Sequence, residues 1–178
     1  MIEKSSLRNR LLKERLQMPP AQRELAEEKI SVDLKQILAS KKGSLGFYWP
    51  VRGEFDPRQV VKDWLSINTT NTASLPVIVN KNNAMIFREW IPGQPMIKGT
   101  FNIDVPHPKN RILIPNIILV PTLGFNQKNF RLGYGGGYYD RTLPQYKALT
   151  IGLCFEHGKS CDIVEEKHDM PLDLVIVG

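Results

Sequence analysis

Apolar residues at Leu7, Leu11, Leu12 and Leu16 recur with helical spacing, and the pair Pro19-Pro20 then ends the pattern, because proline has no amide proton to carry a helix onward. A second helix is expected to open at that pair. Ala26, Ile30, Leu34, Ile37 and Leu38 return at helical intervals, and Lys41-Lys42-Gly43 closes the run with cations and a glycine suited to a C-terminal cap. Leu45 to Trp49 reads as a buried strand ending at Pro50. A third helix follows from Pro57 to about Leu65, since proline suits a first helical position. Leu75 to Val79 and Ala84 to Glu89 read as strands joined by the polar turn Asn80-Lys81-Asn82-Asn83, a hairpin whose outer strand runs antiparallel.

Residues 91–115 hold many prolines and glycines and no long periodic run, and are read as an irregular crossing over the face that carries the site. Ile117 to Val120, Leu149 to Cys154 and Asp173 to Val177 are short apolar runs rich in β-branched residues, the pattern of parallel strands covered on both faces. Alternation of helix and strand predicts an α/β fold: a three-layer α/β/α sandwich with a mostly parallel central sheet, an antiparallel hairpin and N-terminal helices. Open parallel sheets bind ligands at the carboxyl ends of their strands. No repeat, low-complexity tract or linker divides the chain, so residues 1–178 are taken as one domain.

At 178 residues and 42% hydrophobic, the chain is long enough to bury a sizeable core. Its net charge of +6 suits nucleic acid or a small polyanion equally well, so charge alone separates nothing. The first residues lack an apolar stretch, and Glu3 and Glu14 interrupt their basic character, so no signal or transit peptide is expected. No run approaches a membrane span. Cys154 and Cys161 lack the spacing of a zinc or disulfide framework, which makes the cytoplasm the expected compartment.

The chemistry is concentrated in Arg131-Leu132-Gly133-Tyr134-Gly135-Gly136-Gly137-Tyr138-Tyr139-Asp140-Arg141, where four glycines stand within five positions. Without Cβ atoms, successive N–H groups can turn toward one centre and form a nest for phosphate oxygens. A helix beginning near Gly137 would add its unpaired N-terminal amides. Arg131 and Arg141 can supply charge-assisted hydrogen bonds, and Asp140 is a hard oxygen ligand of the kind Mg2+ prefers. The segment lacks the Gly-Lys-Ser/Thr end of a Walker A loop, and Tyr138 stands where the dinucleotide fingerprint needs its last glycine. A loop with no ligand is the alternative, yet a linker has no use for two arginines, an aspartate and tyrosines among its glycines.

Together with Pro121-Thr122-Leu123-Gly124-Phe125-Asn126, this segment resembles the signature of the 5-formyltetrahydrofolate cyclo-ligases, also called 5,10-methenyltetrahydrofolate synthetases. Lys4-Ser5-Ser6-Leu7-Arg8, Tyr48-Trp49-Pro50-Val51-Arg52-Gly53-Glu54-Phe55-Asp56 and His168-Asp169-Met170-Pro171-Leu172-Asp173 resemble three further landmarks of that family in the same order. The resemblance implies ATP- and Mg2+-dependent closure of 5-formyltetrahydrofolate to the 5,10-methenyl product, with release of ADP and phosphate. In that reaction the formyl oxygen is phosphorylated and substrate N10 is the nucleophile. No Ser, Cys or His nucleophile is then required, in keeping with three histidines and two cysteines that form no visible triad or metal cluster.

Carried over by position, the resemblance assigns ATP to Lys4, Ser5, Ser6, Leu7 and Arg8, and to Arg131 through Tyr139, that is Leu132, Gly133, Tyr134, Gly135, Gly136, Gly137 and Tyr138 between them. Lys4 and Arg8, one helical turn apart, can face one phosphate, although a solvated helix face is the plainer reading of two charges. Arg131 and Asp140 are the candidate catalytic residues, with Asp140 and Asp169 as ligands of magnesium; Asp173 competes for the second place, and His168 is expected to be a surface residue. Glu54 would accept hydrogen bonds from the pterin edge, in competition with a salt bridge to Arg52. Trp49 and Phe101 would line the same pocket, along with Tyr134, Gly135, Gly136, Gly137 and Tyr138. Phe101 departs from the Trp frequent there in relatives, and Pro144 limits the helix after Asp140 to about two turns.

Two rival classes remain at the level of sequence. A nucleic-acid module would explain the basic balance, but long basic runs and an alternating aromatic strand are lacking. A phosphosugar isomerase or coenzyme A transferase could share such a sheet, since fold does not fix function. The expected partner is therefore 5-formyltetrahydrofolate, with or without a polyglutamate tail, rather than nucleic acid or membrane. With every apolar helix face assigned to the core, the chain is expected to be a monomer.

Overall fold

The computed structural model describes residues 3–160, 162–166 and 169–178. Cys161 and His168, both singled out above, lie outside them. The chain opens with α1 (Lys4–Leu16) and α2 (Pro20–Ala39), separated at the expected proline pair. It continues through β1 (Ser44–Gly46), α3 (Arg58–Ile67), β2 (Thr72–Val77) and β3 (Ile86–Trp90). Pro57 caps α3 rather than entering it. Residues 91–115 are more ordered than their composition predicts. β4 (Met96–Lys98) and β5 (Asp104–Pro106) form an antiparallel ribbon, and β6 (Ile112–Leu113) joins the main sheet. Strands of two or three residues are too short to leave a periodic trace in a local window, and β6 takes its partner, β3, from farther back in the chain.

The remaining elements are β7 (Ile117–Pro121), a small hairpin of β8 (Gly124–Phe125) with β9 (Arg131–Leu132), α4 (Tyr138–Thr142), β10 (Leu149–Cys154) and β11 (Leu174–Val177). α4 has five residues and passes into a 3-10 turn at Leu143–Gln145, where Pro144 removes the next amide donor. The sheet order is β11-β10-β7-β1-β2-β3-β6. Its first five strands run parallel, β3 pairs antiparallel with β2, and β6 pairs antiparallel with β3 and so returns to the common direction.

β7 shows why the architecture has three layers. Ile117 and Leu119 pack with Ile30, Leu34 and Trp64 under α2 and α3, whereas Ile118 and Val120 pack with Phe87, Leu143 and Leu172 on the opposite face. Side chains alternate across a strand, so a continuous apolar run is what a strand buried on both faces requires. The α1 stripe differs from expectation at its end. Leu7 and Leu11 are buried, but Leu16 is 60% exposed and Arg15 takes the inward place at 2%. Arg15 stands one further turn along the face set by Leu7 and Leu11, and its fork finds acceptors inside, with Nη2 donating to the Thr122 carbonyl at 2.7 Å.

From β1 the chain moves to β2 and β3 on one side, and from β7 to β10 and β11 on the other. The order therefore reverses between β1 and β7, and that crevice is where an open parallel sheet accepts a ligand.

Candidate active site

A cavity of about 690 Å³ opens at this reversal. The segment after β1 supplies Tyr48, Trp49 and Glu54, the glycine segment after β9 supplies a second wall, and α1 supplies Lys4 and Arg8. The ribbon of β4 and β5 closes another side through Phe101 and Val105. Landmarks far apart in sequence thus meet around one space.

The glycine segment is shaped by backbone that only glycine adopts cheaply. Gly135 and Gly137 have φ of 91° and 66°, and Gly137 caps α4. Two arginines hold its carbonyls: Arg8 Nε donates to Gly133 O at 2.8 Å, and Arg141 Nη2 donates to Gly136 O at 2.9 Å. Arg141 also lies 4.9 Å over the Tyr138 ring. A Cβ at Gly133 would collide with the Arg131 guanidinium, so the missing side chain makes room for that cation.

Arg131 is poised in an electrostatic frame. Its side chain is 5% exposed, Nη2 donates to Asp140 Oδ1 at 3.1 Å, and the guanidinium stands 5.2 Å over the Tyr139 ring. Its Nε is buried without a hydrogen-bond partner among the described residues. A buried donor left unpaired is costly, and a phosphate oxygen entering from the cavity would satisfy it. The residues present therefore fit a phosphorylated ligand.

Lys4 donates to Asp169 Oδ2 at 3.0 Å and pairs with Glu166 at 2.7 Å. Burial works against its charge, but the hydrogen bonds to Glu166 and Asp169 outweigh burial and raise its pKa. Asp169 Oδ2 also accepts the Glu166 amide at 2.8 Å. Asp140 and Asp169 both line the cavity. Among the described residues no three His, Cys, Asp or Glu side chains gather as a ready metal cage. One or two carboxylates sharing a cation with substrate phosphates is the arrangement Mg2+ favours.

Glu54 is 8% exposed, and its Oε2 accepts the Val51 amide at 2.8 Å. Burial pushes its carboxyl up to about 6, against the pull of that amide, Arg15 and Tyr134. Arg52, the ion-pair partner of the alternative reading, lies 5.2 Å over the Tyr134 ring. Trp49 carries Arg58 at 4.5 Å over its ring. Phe101 is 69% exposed with φ of 60°, and meets Tyr138 edge-on at 6.1 Å between centroids. A phenylalanine in the left-handed region is strained, and such strain gathers at ligand clamps.

Not every candidate reaches the cavity. Ser5 and Ser6 are exposed, and Leu7 is buried beside Leu11, Leu123 and Leu132, so these three do not line it. Asp173 is occupied elsewhere, accepting the Thr150 amide at 2.7 Å and its hydroxyl at 2.8 Å. Sequence reasoning missed Glu166 and Arg15. Arg15 carried a usable signal, a charge at the next inward position of the Leu7 and Leu11 face.

The 5-formyltetrahydrofolate cyclo-ligase family model matches residues 1–178. A 5-formyltetrahydrofolate cyclo-ligase of Haemophilus influenzae is 24% identical over 186 positions, covering 99% of this chain and 98% of the relative. One of Mycoplasma genitalium is 28% identical over 183 positions, with 99% and 98% covered. Among solved structures, a 5,10-methenyltetrahydrofolate synthetase from Mycoplasma pneumoniae superposes with a TM-score of 0.79 at 26% identity over 98% of both chains. That of Aquifex aeolicus gives 0.81 at 26%, covering 99% of this chain and 90% of the other. Matched from its first residue to its last, the chain belongs to the 5-formyltetrahydrofolate cyclo-ligase family.

Proposed function

We propose that this enzyme converts 5-formyltetrahydrofolate to 5,10-methenyltetrahydrofolate with ATP and Mg2+, releasing ADP and phosphate. The observation that carries the reading is the meeting of two unlike halves in one cavity. A glycine and cation half includes Arg131, whose buried Nε lacks a partner, and an aromatic half centres on the buried carboxylate of Glu54. The first suits phosphates, and the second suits a flat heterocycle with N–H donors along one edge.

A formamide carbon is a poor electrophile, and bound MgATP supplies the phosphoryl group that turns the formyl oxygen into a leaving group. Substrate N10 then forms its bond to that carbon, loses its proton, and the C–O bond breaks to release phosphate. Arg131 and Lys4 hold phosphate oxygens, Asp140 and Asp169 hold the cation, and the glycine amides from Gly133 to Gly137 cradle the anion. Glu54 orients the pterin, and Trp49, Phe101 and Tyr138 wall it. Positioning and electrostatics supply the rate, since the nucleophile belongs to the substrate.

Among the described residues no helix is long and apolar enough to cross a membrane. We place the enzyme in the cytoplasm as a monomer of one domain, acting on mono- or polyglutamylated folate. The test is the near-ultraviolet absorbance of the methenyl product when the protein meets 5-formyltetrahydrofolate, Mg2+ and ATP. An ATP-dependent rise supports the assignment. Silence from folded protein would reduce the kinship to one of fold.

A further inference from the structure

Glu54 sits in a turn that fixes its carboxylate against its own backbone. The Glu54 amide donates to Val51 O at 3.0 Å, and the Val51 amide donates in return to Glu54 Oε2 at 2.8 Å. Between them Arg52 and Gly53 stand at φ of 49° and 70°, both in the left-handed region. Side chain and turn are thereby one body, and a shift of the turn carries the carboxylate with it. Left-handed backbone at a residue with a side chain persists where the surroundings over-determine it, so a grip on this turn from outside bears directly on where Glu54 points.

That grip comes from α2. Arg23 Nη2 donates to Gly53 O at 2.9 Å and reaches Glu54 O at 3.4 Å. The same guanidinium is fixed on two other sides. Its Nε pairs with Glu27, one turn along the helix, at 2.8 Å, and the group lies 5.1 Å over the ring of Phe155, just past β10. Phe155 is buried, and α2 is packed down through Ala26, Ile30, Leu34 and Leu38, so the fork stands on the core rather than on a loop. Gly53 fits this place closely, since a Cβ there would come within 3.2 Å of Leu16 Cδ2 and 3.5 Å of Arg23 Nη1. The Tyr48 hydroxyl holds the next carbonyl, Phe55 O, at 2.9 Å, but from within the same segment. Arg23 itself does not line the cavity, whereas Glu54 does.

We propose that Arg23 is a positioning residue: from α2 it holds the carbonyls of the turn that carries Glu54, and so sets the carboxylate at the cavity wall for the incoming heterocycle. This rests on Glu54 being the carboxylate that receives the substrate's N–H donors. Without the guanidinium, the Gly53 and Glu54 carbonyls lose a charge-assisted donor and the left-handed pair is free to relax. The carboxylate then no longer meets two donors of one flat edge together. The phosphate half of the cavity is held by other cations, Arg8 and Arg141 on the glycine carbonyls, and is untouched by the loss.

The test compares Arg23→Met, Arg23→Lys, Glu54→Gln and the double variant joining Arg23→Met to Glu54→Gln. Binding of 5-formyltetrahydrofolate without ATP is read by tryptophan fluorescence, Trp49 being in the cavity wall, and KM and kcat are read with ATP. Arg23→Met should weaken folate binding and raise the folate KM about tenfold, while the KM for ATP and kcat at saturating folate stay within about twofold. Arg23→Lys keeps a cationic donor without the planar fork and should recover part of the loss. The double variant should lose no more than Glu54→Gln alone, because both act through one carboxylate. A merely structural Arg23 would lower the urea midpoint without separating the two KM values.

Losses that multiply in the double variant, or an unmoved folate affinity in folded Arg23→Met, would overturn the proposal. Should Arg23→Met not fold, Arg23→Gln takes its place with the same expected loss, since its amide ends two atoms short of Nη2. If Glu54→Gln leaves folate affinity unchanged, the reading of Glu54 fails and this proposal falls with it; if only Arg23→Met leaves it unchanged, the proposal falls alone. A wild type that binds the folate yet makes no methenyl product sinks the assigned reaction, and the same binding comparison still decides the role of Arg23.

Discussion

Arg131 Nη2 donates to Asp140 Oδ1 at 3.1 Å, closing the glycine segment like a clasp between β9 and α4. The two side chains are 5% and 19% exposed, so the pair is shielded from water more than an ordinary surface bridge. It holds a cation and a carboxylate at the cavity wall in fixed relation before any ligand arrives. Preorganisation of this kind is what phosphoryl transfer rewards.

Asp140→Ala should lower kcat by about a hundredfold or more, while the fold persists with a loss of about 1–3 kcal/mol from the unpaired Arg131. Circular dichroism and urea unfolding check the fold, and turnover at saturating Mg2+ checks the role. Full magnesium-dependent activity would remove Asp140 from the site.

Gly133→Ala tests the space rather than the charge. Its Cβ would collide with the Arg131 guanidinium, which must swing away from Asp140. The variant should then mimic Arg131→Met, with a raised KM for ATP and a reduced kcat. Wild-type kinetics would mean that Arg131 has slack and is not held where the phosphates bind.

Glu54 makes a signed pH prediction. Its folded value of about 6 lies above its ordinary 4.5, so the folded chain holds this proton more tightly than the unfolded chain does. That contribution, about 2 kcal/mol, is fully present below the ordinary value and is lost as pH rises through about 6. Folate binding should run the opposite way, weakening as pH falls below about 6, because the protonated acid no longer accepts two hydrogen bonds. Glu54→Gln should flatten both profiles and weaken folate binding more than ATP binding. An unchanged folate affinity would put the pterin elsewhere.

Lys4→Ala should raise the KM for ATP about tenfold and leave that for folate unchanged. It removes the cation that Glu166 and Asp169 share, so added salt should lessen the defect by screening their repulsion. If the ATP requirement does not move, the first turn of α1 serves structure alone.

Much of the fold was legible because its signals are local. Of the expected stripe, Ala26, Ile30, Leu34 and Leu38 form the buried face of α2 while Ile37 is only partly covered at its edge, and the apolar runs of β7, β10 and β11 lie in the sheet's parallel half. β4, β5 and β6 were read as irregular because two or three residues give no period, and β6 in addition takes its partner from β3. Phe101 was placed near the pocket by kinship, but its left-handed backbone was invisible, since phenylalanine does not announce positive φ as glycine does.

Spacing, glycine content and the order of four motifs are properties of neighbours in the chain, and from them the α/β class, the phosphate-suited segment and the kinship follow. The contacts that make a site join residues whose separation erases any local trace: Lys4 with Asp169, 165 positions apart, and Arg15 with Tyr134, 119 apart. Which charges are buried, and what each one touches, depends on loops brought together where the strand order reverses between β1 and β7. Burial and long-range hydrogen bonding arise only once the sheet has formed, and so Arg15 could be read as one more charge on a helix until its guanidinium was seen between Thr122 and Tyr134.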